Sequence, residues 1–374
     1  MKNFQSGRLA QQAHYKSFQP NPINRSWVLD DMGLLQLLGQ ADRELGRLDM
    51  YSEYIPNIDL FIRMHVLKEA TQSSKIEGTQ TNMEEALLEK EDVAPERRDD
   101  WEEVQNYVAA MNQAVDRLQT LPFSARLIRE THKTLMQGVR GKHKQPGQFR
   151  LSQNWIGGAS ISDAVFVPPS HDTVGALIAD IEKFVHDEQH YFPELLKAAL
   201  VHYQFETIHP FLDGNGRVGR LLITLYLVNR GILKQPVLYL SDFFERNRQL
   251  YYDNLMRARE KNDLLQWCKF FLVGVIETAK SSTTTFDNIL KLQKQVEAQL
   301  QTLGSRTANA QKVMYYLYQR PMIDAAMTGE VAGVSAASAY KLIADLEQFG
   351  ILKEITGAKR GKIYTFEAYL KLFK

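Results

Sequence analysis

The sequence predicts an all-α body with one short β-hairpin, joined to a small C-terminal module of three helices and a β-ribbon. Apolar residues recur at a spacing of three and four through the body, as in Leu60, Met64 and Leu67 and in Leu221, Leu222, Leu225 and Val228. One segment, Asn154–Pro168, breaks that rhythm. Its Trp155-Ile156, Gly157-Gly158 pair and Val165-Phe166-Val167 read as a hairpin closed by Pro168-Pro169. Charge also divides the chain: residues 305–374 carry a net +4 and the remainder −3.

Taken in order, Asp59 can cap a helix that Gly78 stops. Pro193 at a first helical position opens Glu194–Ile208, and Pro210 ends that helix, because the residue before a proline is disfavoured in the α region. Gly231 closes the helix that carries the Leu221 stripe. The small polar run Lys280-Ser281-Ser282-Thr283-Thr284-Thr285 reads as a boundary, followed by a connecting helix over Phe286–Leu303. Ala308–Gln319, Met322–Val331 and Ser335–Phe349 read as helices, and Ile351–Phe366 as two strands about a tip at Thr356–Lys362. The expected division is an N-terminal helical region (1–105), a main body (106–280), a connecting helix (281–304) and a terminal module (305–374).

The composition is that of an ordinary globular protein, with 44% hydrophobic and 24% charged residues among 374. A formal net charge of +1 argues against a generic polyanion binder. The single cysteine, Cys268, excludes a disulfide framework and a cysteine-rich zinc site, and suits a reducing cytoplasm. The opening residues lack the apolar core of a signal peptide, and runs such as Leu221–Val228 fall short of the roughly 18 residues a membrane span needs. The expectation is a soluble cytoplasmic protein with no membrane partner.

The most informative segment runs from His209 to Arg220. Gly214, Gly216 and Gly219 fit G-x-G-x-x-G, but a dinucleotide fold needs a strand before that pattern, and here a helix precedes it. The physics of an anion site remains. A glycine loop opening a helix offers unpaired N–H groups and the positive end of the helix dipole. Arg217 and Arg220, three residues apart, share a helix face and can clamp phosphate oxygens. Asp213 is a hard oxygen ligand suited to Mg²⁺, and His209 can accept a proton near neutral pH.

These twelve residues match the motif His-x-Phe-x-(Asp/Glu)-Gly-Asn-Gly-Arg-x-x-Arg at every specified position, and the chain resembles the Fic (Fic/Doc, Fido-fold) family of protein adenylyltransferases. The resemblance extends through Pro146–Arg150 and the Asn154–Pro168 hairpin, which looks like the family's target-docking flap with Trp155, Ile156 and Gly157. It implies transfer of AMP from ATP to a Tyr, Ser or Thr hydroxyl of a target protein. On that resemblance His209 deprotonates the hydroxyl and Asp213 holds Mg²⁺. Gly214, Asn215, Gly216, Val218 and Gly219 belong to the ATP loop, with Arg217 toward the β-phosphate and Arg220 toward the γ-phosphate. Arg246, Asn247 and Tyr251, beside Tyr252, lie where the family closes its adenine pocket. Gly216 stands where phosphorylating relatives carry lysine, which favours AMP transfer.

Ser73, Glu77 and Gly78 resemble the family's inhibitory motif (Ser/Thr)-x-x-x-Glu-(Gly/Asn), within a subclass that carries an N-terminal inhibitory helix, here about 59–78. The implied brake is a pairing of Glu77 with Arg220 that occupies the γ-phosphate position, in cis or across a homodimer. Other candidates read as structure: His186-Asp187-Glu188-Gln189-His190 as a solvated turn, and His202 as a buried core histidine. The C-terminal module resembles a winged helix-turn-helix, with Lys341, Lys359, Arg360 and Lys362 as candidate DNA contacts or, alternatively, a docking module. Two further readings keep the same residues: removal of AMP with Glu77 positioning water, and an ATP-sensing DNA-binding regulator.

Overall fold

A computed structural model describes residues 1, 4–55, 57–138, 142–357 and 361–373. It begins with an antiparallel hairpin, β1 (Gly7–Gln11) and β2 (Lys16–Pro20), then α1 (Met32–Tyr54), α2 (Asp59–Ile76), α3 (Met83–Ala86), α4 (Arg98–Arg117) and α5 (Ala125–Leu135). The body continues with α6 (Val174–Val185), α7 (Glu194–Ile208), α8 (Asn215–Asn229), α9 (Ser241–Arg246), α10 (Arg248–Lys261) and α11 (Leu264–Leu300). The terminal module contains α12 (Thr307–Gln319), β3 (Met322–Asp324), α13 (Ala325–Ala332), α14 (Ala336–Gln348), β4 (Lys353–Glu354), β5 (Ile363–Thr365) and α15 (Glu367–Leu370). Its three strands form one antiparallel sheet in the order β3-β5-β4.

Two helices sit at the centre because their sequences are apolar nearly all round. Every α7 residue from Leu195 to Ile208 is buried, as is almost all of α8 from Val218 to Leu227. The two pack on each other, with α6 and α11 against α7 and α2, α4 and α5 against α8. The loop between them carries residues 209–214 and is therefore held on rigid supports. Among the described residues no helix is long and apolar enough to cross a membrane.

Several sequence expectations need correction. Asp59 is the first residue inside α2 rather than its cap, and Ile58 precedes it without a side-chain hydrogen bond. Pro193 is the N-cap of α7 rather than its first helical residue, with ψ of 133°, while the helix itself spans Glu194–Ile208 as expected. The run Lys280–Thr285 is no boundary: α11 passes through it unbroken for 37 residues, since tertiary packing of Thr278, Ser282 and Phe286 outweighs the weak helix propensity of Ser and Thr. The chain kinks instead at Gly304 (φ 59°). Met322–Asp324 is a strand pairing with β5, and Asp324 caps the shorter helix α13.

The expected flap is reduced to one antiparallel bridge, Ile156 with Phe166. The unanticipated β1–β2 hairpin supports it: Phe18 N–H donates to Val167 O at 2.8 Å, and the Phe18 and Phe166 rings lie 5.7 Å apart.

The terminal module sits on α2. Phe61 meets Tyr318 edge-on at 5.6 Å and Tyr369 at 6.4 Å, and His65 meets Phe373 at 5.0 Å. Arg320 donates to Leu87 O at 2.8 Å and pairs with Glu89 at 2.7 Å.

Candidate functional site

His209 ends α7 in the left-handed region (φ 50°, ψ 61°), a conformation that turns the chain sharply before Pro210. Several interactions then fix the loop. The Phe211 ring is fully buried and stacks on His132 at 3.6 Å. The Asn215 side chain accepts from Phe211 N–H at 2.8 Å and donates to Phe211 O at 2.9 Å. Asn154 donates to the carbonyls of His209 and Phe211. Arg150, 1% exposed, donates to the carbonyls of His209, Ser152, Pro169 and Ile208. Buried carbonyls around a sharp turn need such donors.

Gly214 (φ 75°) is the N-cap of α8, and a Cβ there would stand 2.7 Å from Met136 Sδ. The first N–H groups of α8 lack intrahelical partners by geometry and point toward a cavity of about 530 Å³. One wall of that cavity is the flap, with Trp155, Ile156 and Gly157. The far wall is α10, with Tyr251, Tyr252 and Leu255. His209, Asp213, Gly214, Asn215, Gly216 and Arg220 form the floor, and Glu77 enters beside them.

Arg220, its side chain 1% exposed, donates Nη2–H to Glu77 Oε1 at 2.7 Å and reaches Ser73 Oγ and Ser73 O at 2.9 Å each. Burial pushes the Glu77 carboxyl up, but the charge and hydrogen bond of Arg220, with Arg217 and His209, outweigh it and hold it below its usual range. Glu77 is therefore an anion at neutral pH. Burial, aided by the charge of Arg259, pulls the His209 imidazole down to about 4, so it is neutral and able to accept a proton. Burial pushes the neighbouring Glu206 carboxyl up to about 7.

The structure thus assembles most of the expected residues and turns some away. Arg217 pairs with Glu103 at 3.0 Å, outside the cavity lining. Val218 is core, and Gly219 gives its carbonyl to His202 Nδ1 at 2.8 Å. Asn215 faces the cavity with its side-chain amide already engaged, so it staples the loop. Arg246 pairs with Asp242 at 3.3 Å and borders a separate small cavity with His65 and Lys68, while Asn247 bonds back to Phe243 O. Both fall outside the lining, and Tyr251 alone of that trio borders it. Tyr251 is held by His202 Nε2 at 2.8 Å, which makes His202 a satisfied core histidine as expected.

Ser73 acts through Arg220, and Gly78 (φ 102°) ends the α2 segment. Sequence reasoning missed Glu206 and Arg259, which also line the cavity. A charged residue on the otherwise apolar face before His209 was the available signal for Glu206. His190 pairs with Asp187 at 2.8 Å in a turn.

Asp213 is one carboxylate at the cavity edge, 46% exposed, with Oδ1 accepting the Gly214 N–H at 2.6 Å. Among the described residues no group of three potential ligands is assembled. A cation here would share one carboxylate with substrate oxygens, a donor set that fits Mg²⁺. In the terminal module Lys341 and Lys362 are exposed, while Lys359 and Arg360 lie outside the described residues.

Residues 35–116 match the Fic/DOC family N-terminal model and residues 122–227 the Fic/DOC family model, together about half the chain. The protein adenylyltransferase Fic of Aedes aegypti is 34% identical over 125 residues, which is 33% of this chain and 22% of that protein. A probable protein adenylyltransferase of Aquifex aeolicus is 36% identical over 115 residues, 31% of this chain and 32% of that one. The chain thus spans from about a fifth to a third of the length of these relatives.

A solved Fic family protein from Desulfovibrio desulfuricans G20 superposes with a TM-score of 0.57 at 19% identity, covering 91% of this chain and 98% of the other. Fic-1 (aa134 - 508) from C. elegans gives 0.51 at 21%, covering 70% and 74%. These likenesses show the fold. With the motif loop between two buried helices and both family models in place, the chain belongs to the Fic/DOC family.

Proposed function

We propose that this protein is a self-inhibited adenylyltransferase that moves AMP from ATP to a Tyr, Ser or Thr hydroxyl of a protein, its own chain included. One observation carries the reading: a neutral His209 and the open N-terminus of α8 face one cavity, in which Glu77 already occupies Arg220. The α8 N–H groups and Arg220 bind phosphate oxygens. The flap wall receives the acceptor segment, and His209 takes the proton of its hydroxyl. The hydroxyl oxygen then bonds to the α-phosphorus as the bond to the departing pyrophosphate breaks. Asp213 would hold Mg²⁺, which would supply neutralisation of phosphate charge there.

Arg217, paired with Glu103 at 3.0 Å and 3.8 Å from Asp213, supports the loop from behind the cavity lining. Glu77, an anion on Arg220, competes with a terminal phosphate for the same guanidinium and keeps ATP from its productive pose.

The test is labelling of the protein and of a cell lysate with radioactive ATP. Glu77→Gly is expected to raise AMP incorporation tenfold or more, and His209→Ala to abolish it in either background. Equal labelling by wild type and Glu77→Gly refutes the brake. Labelling that survives His209→Ala refutes the chemistry.

A further inference from the structure

Two buried polar atoms in the cavity lack hydrogen-bond partners and belong to neighbouring groups. One is Nδ1 of His209, which has the Glu206 backbone carbonyl nearby but makes no well-formed hydrogen bond to it, and the other is Oε1 of Glu206, one turn earlier on α7. The second oxygen of that carboxylate, Oε2, lies 4.0 Å from His209 Nδ1. Buried polar groups are satisfied in the great majority of cases, so an adjacent donor and acceptor left open call for an explanation. The space for the carboxylate is also built. A Cβ on Gly219 would stand 2.1 Å from Glu206 Oε1 and 3.1 Å from Phe205. Glycine weakens a helix relative to alanine, and at 219 it makes the room that Glu206 fills.

The other cavity acids are engaged elsewhere: Glu77 by Arg220, and Asp213 by the Gly214 N–H. On the far side, Arg259 sits 4.1 Å above the Phe166 ring and donates to Thr207 Oγ1 at 3.1 Å, which fixes a positive charge near the Glu206 carboxylate.

An imidazole that takes a proton on one nitrogen works best when the other is held, because the partner sets both tautomer and ring plane. We propose that Glu206 is a positioning residue that accepts the Nδ1–H of His209 in the substrate complex, leaving Nε2 to receive the acceptor hydroxyl's proton. This rests on the AMP-transfer reading and deepens it. The required movement is about 1 Å, within the tightening that catalytic hydrogen bonds undergo on substrate binding. As Nε2 gains its proton, Nδ1 keeps its own, and the carboxylate faces the resulting imidazolium. The Glu206 carboxyl titrates at about 7, so its ionisation enters the pH range in which the reaction would be measured.

The experiment compares Glu206, Glu206→Gln and Glu206→Leu in the Glu77→Gly background. It follows labelled AMP transfer against ATP concentration and pH, together with ¹⁵N-histidine NMR of His209. Glu206→Leu is expected to lose ten- to a hundredfold in kcat with KM for ATP within twofold. Glu206→Gln, which still accepts the Nδ1 proton, recovers several-fold and loses the ionisation near pH 7 from the rate profile. His209 shows the Nδ1–H tautomer with Glu or Gln at 206 and a mixture with Leu. Parental kcat in Glu206→Leu, a loss confined to KM, or an unchanged tautomer overturns the proposal. Should Glu206→Leu fail to fold, the near-isosteric Gln variant still decides it through the pH profile. If Glu77→Gly itself transfers no AMP, the parent reading fails, whereas the tautomer measurement still judges Glu206 separately.

Discussion

Arg220 and Glu77 meet at 2.7 Å across 143 residues of sequence, joining the end of α2 to the second turn of α8. The contact is possible because residue 216 has no side chain: a Cβ there would lie 2.3 Å from Glu77 Oε1. Gly216→Ala is therefore expected to lower Tm by about 2–5 °C when Glu77 is present and to cost little in Glu77→Gly. Calorimetry on the four combinations checks this, and equal losses in both backgrounds contradict it.

Acid should destabilise the fold early. Burial lowers His65 and His202 to about 3 and His132 and His209 to about 4, against about 6.5 in the unfolded chain. Between pH 6.5 and 4 the unfolded state binds more protons at these four sites, so stability falls as pH falls through that window. The carboxyls raised by burial, Asp42, Glu69, Asp180 and Glu206, act in the opposite direction, while Glu77 and Glu130, held low by neighbouring arginines, act with the imidazoles. Urea midpoints are expected to drop steadily from pH 7 to pH 5. A flat profile would show that these rings are not buried as described.

Arg150 is a structural clamp. Replacing it with Leu leaves the carbonyls of Ser152, Pro169 and Ile208 without that donor and His209 O with Asn154 alone, and should cost about 3 kcal/mol or more. Arg150→Lys should rescue little of that loss, since one ammonium cannot reproduce the planar fork. Chemical denaturation of both variants measures the difference. Recovery by Lys to wild-type stability would mean that charge alone suffices.

The terminal module and the body should unfold together, because α11 runs unbroken between them and Phe61 packs on Tyr318 and Tyr369. Phe61→Ala is expected to cost about 3–5 kcal/mol while preserving one transition. Two resolved transitions in the wild type would count against a shared core.

The central loop was legible because its chemistry is local: His209, the three glycines and Arg220 lie within twelve residues. The limits of α7 were legible too, since prolines bracket it. What stayed hidden depends on distant partners. The Ser/Thr run inside α11 looks like a linker until its packing is known, and nothing local signals the pairing of Arg217 with Glu103, 114 residues away. Short strands such as β1, with polar and exposed positions, carry little periodic signal. Arg246 and Asn247 were placed by family likeness alone, and their side chains turn toward Asp242 and Phe243 instead.

Helix α2 is in effect a lever arm. Phe61 and Glu77 are sixteen residues apart, a rod of about 24 Å at 1.5 Å per residue. One end lies under Tyr318, Tyr369 and Phe373, and the other holds the Arg220 guanidinium. A tilt of about 3° at the aromatic end would sweep the carboxylate through more than an ångström, enough to break a hydrogen bond of this length. The seating of residues 305–374 and the grip on Arg220 therefore share one helix.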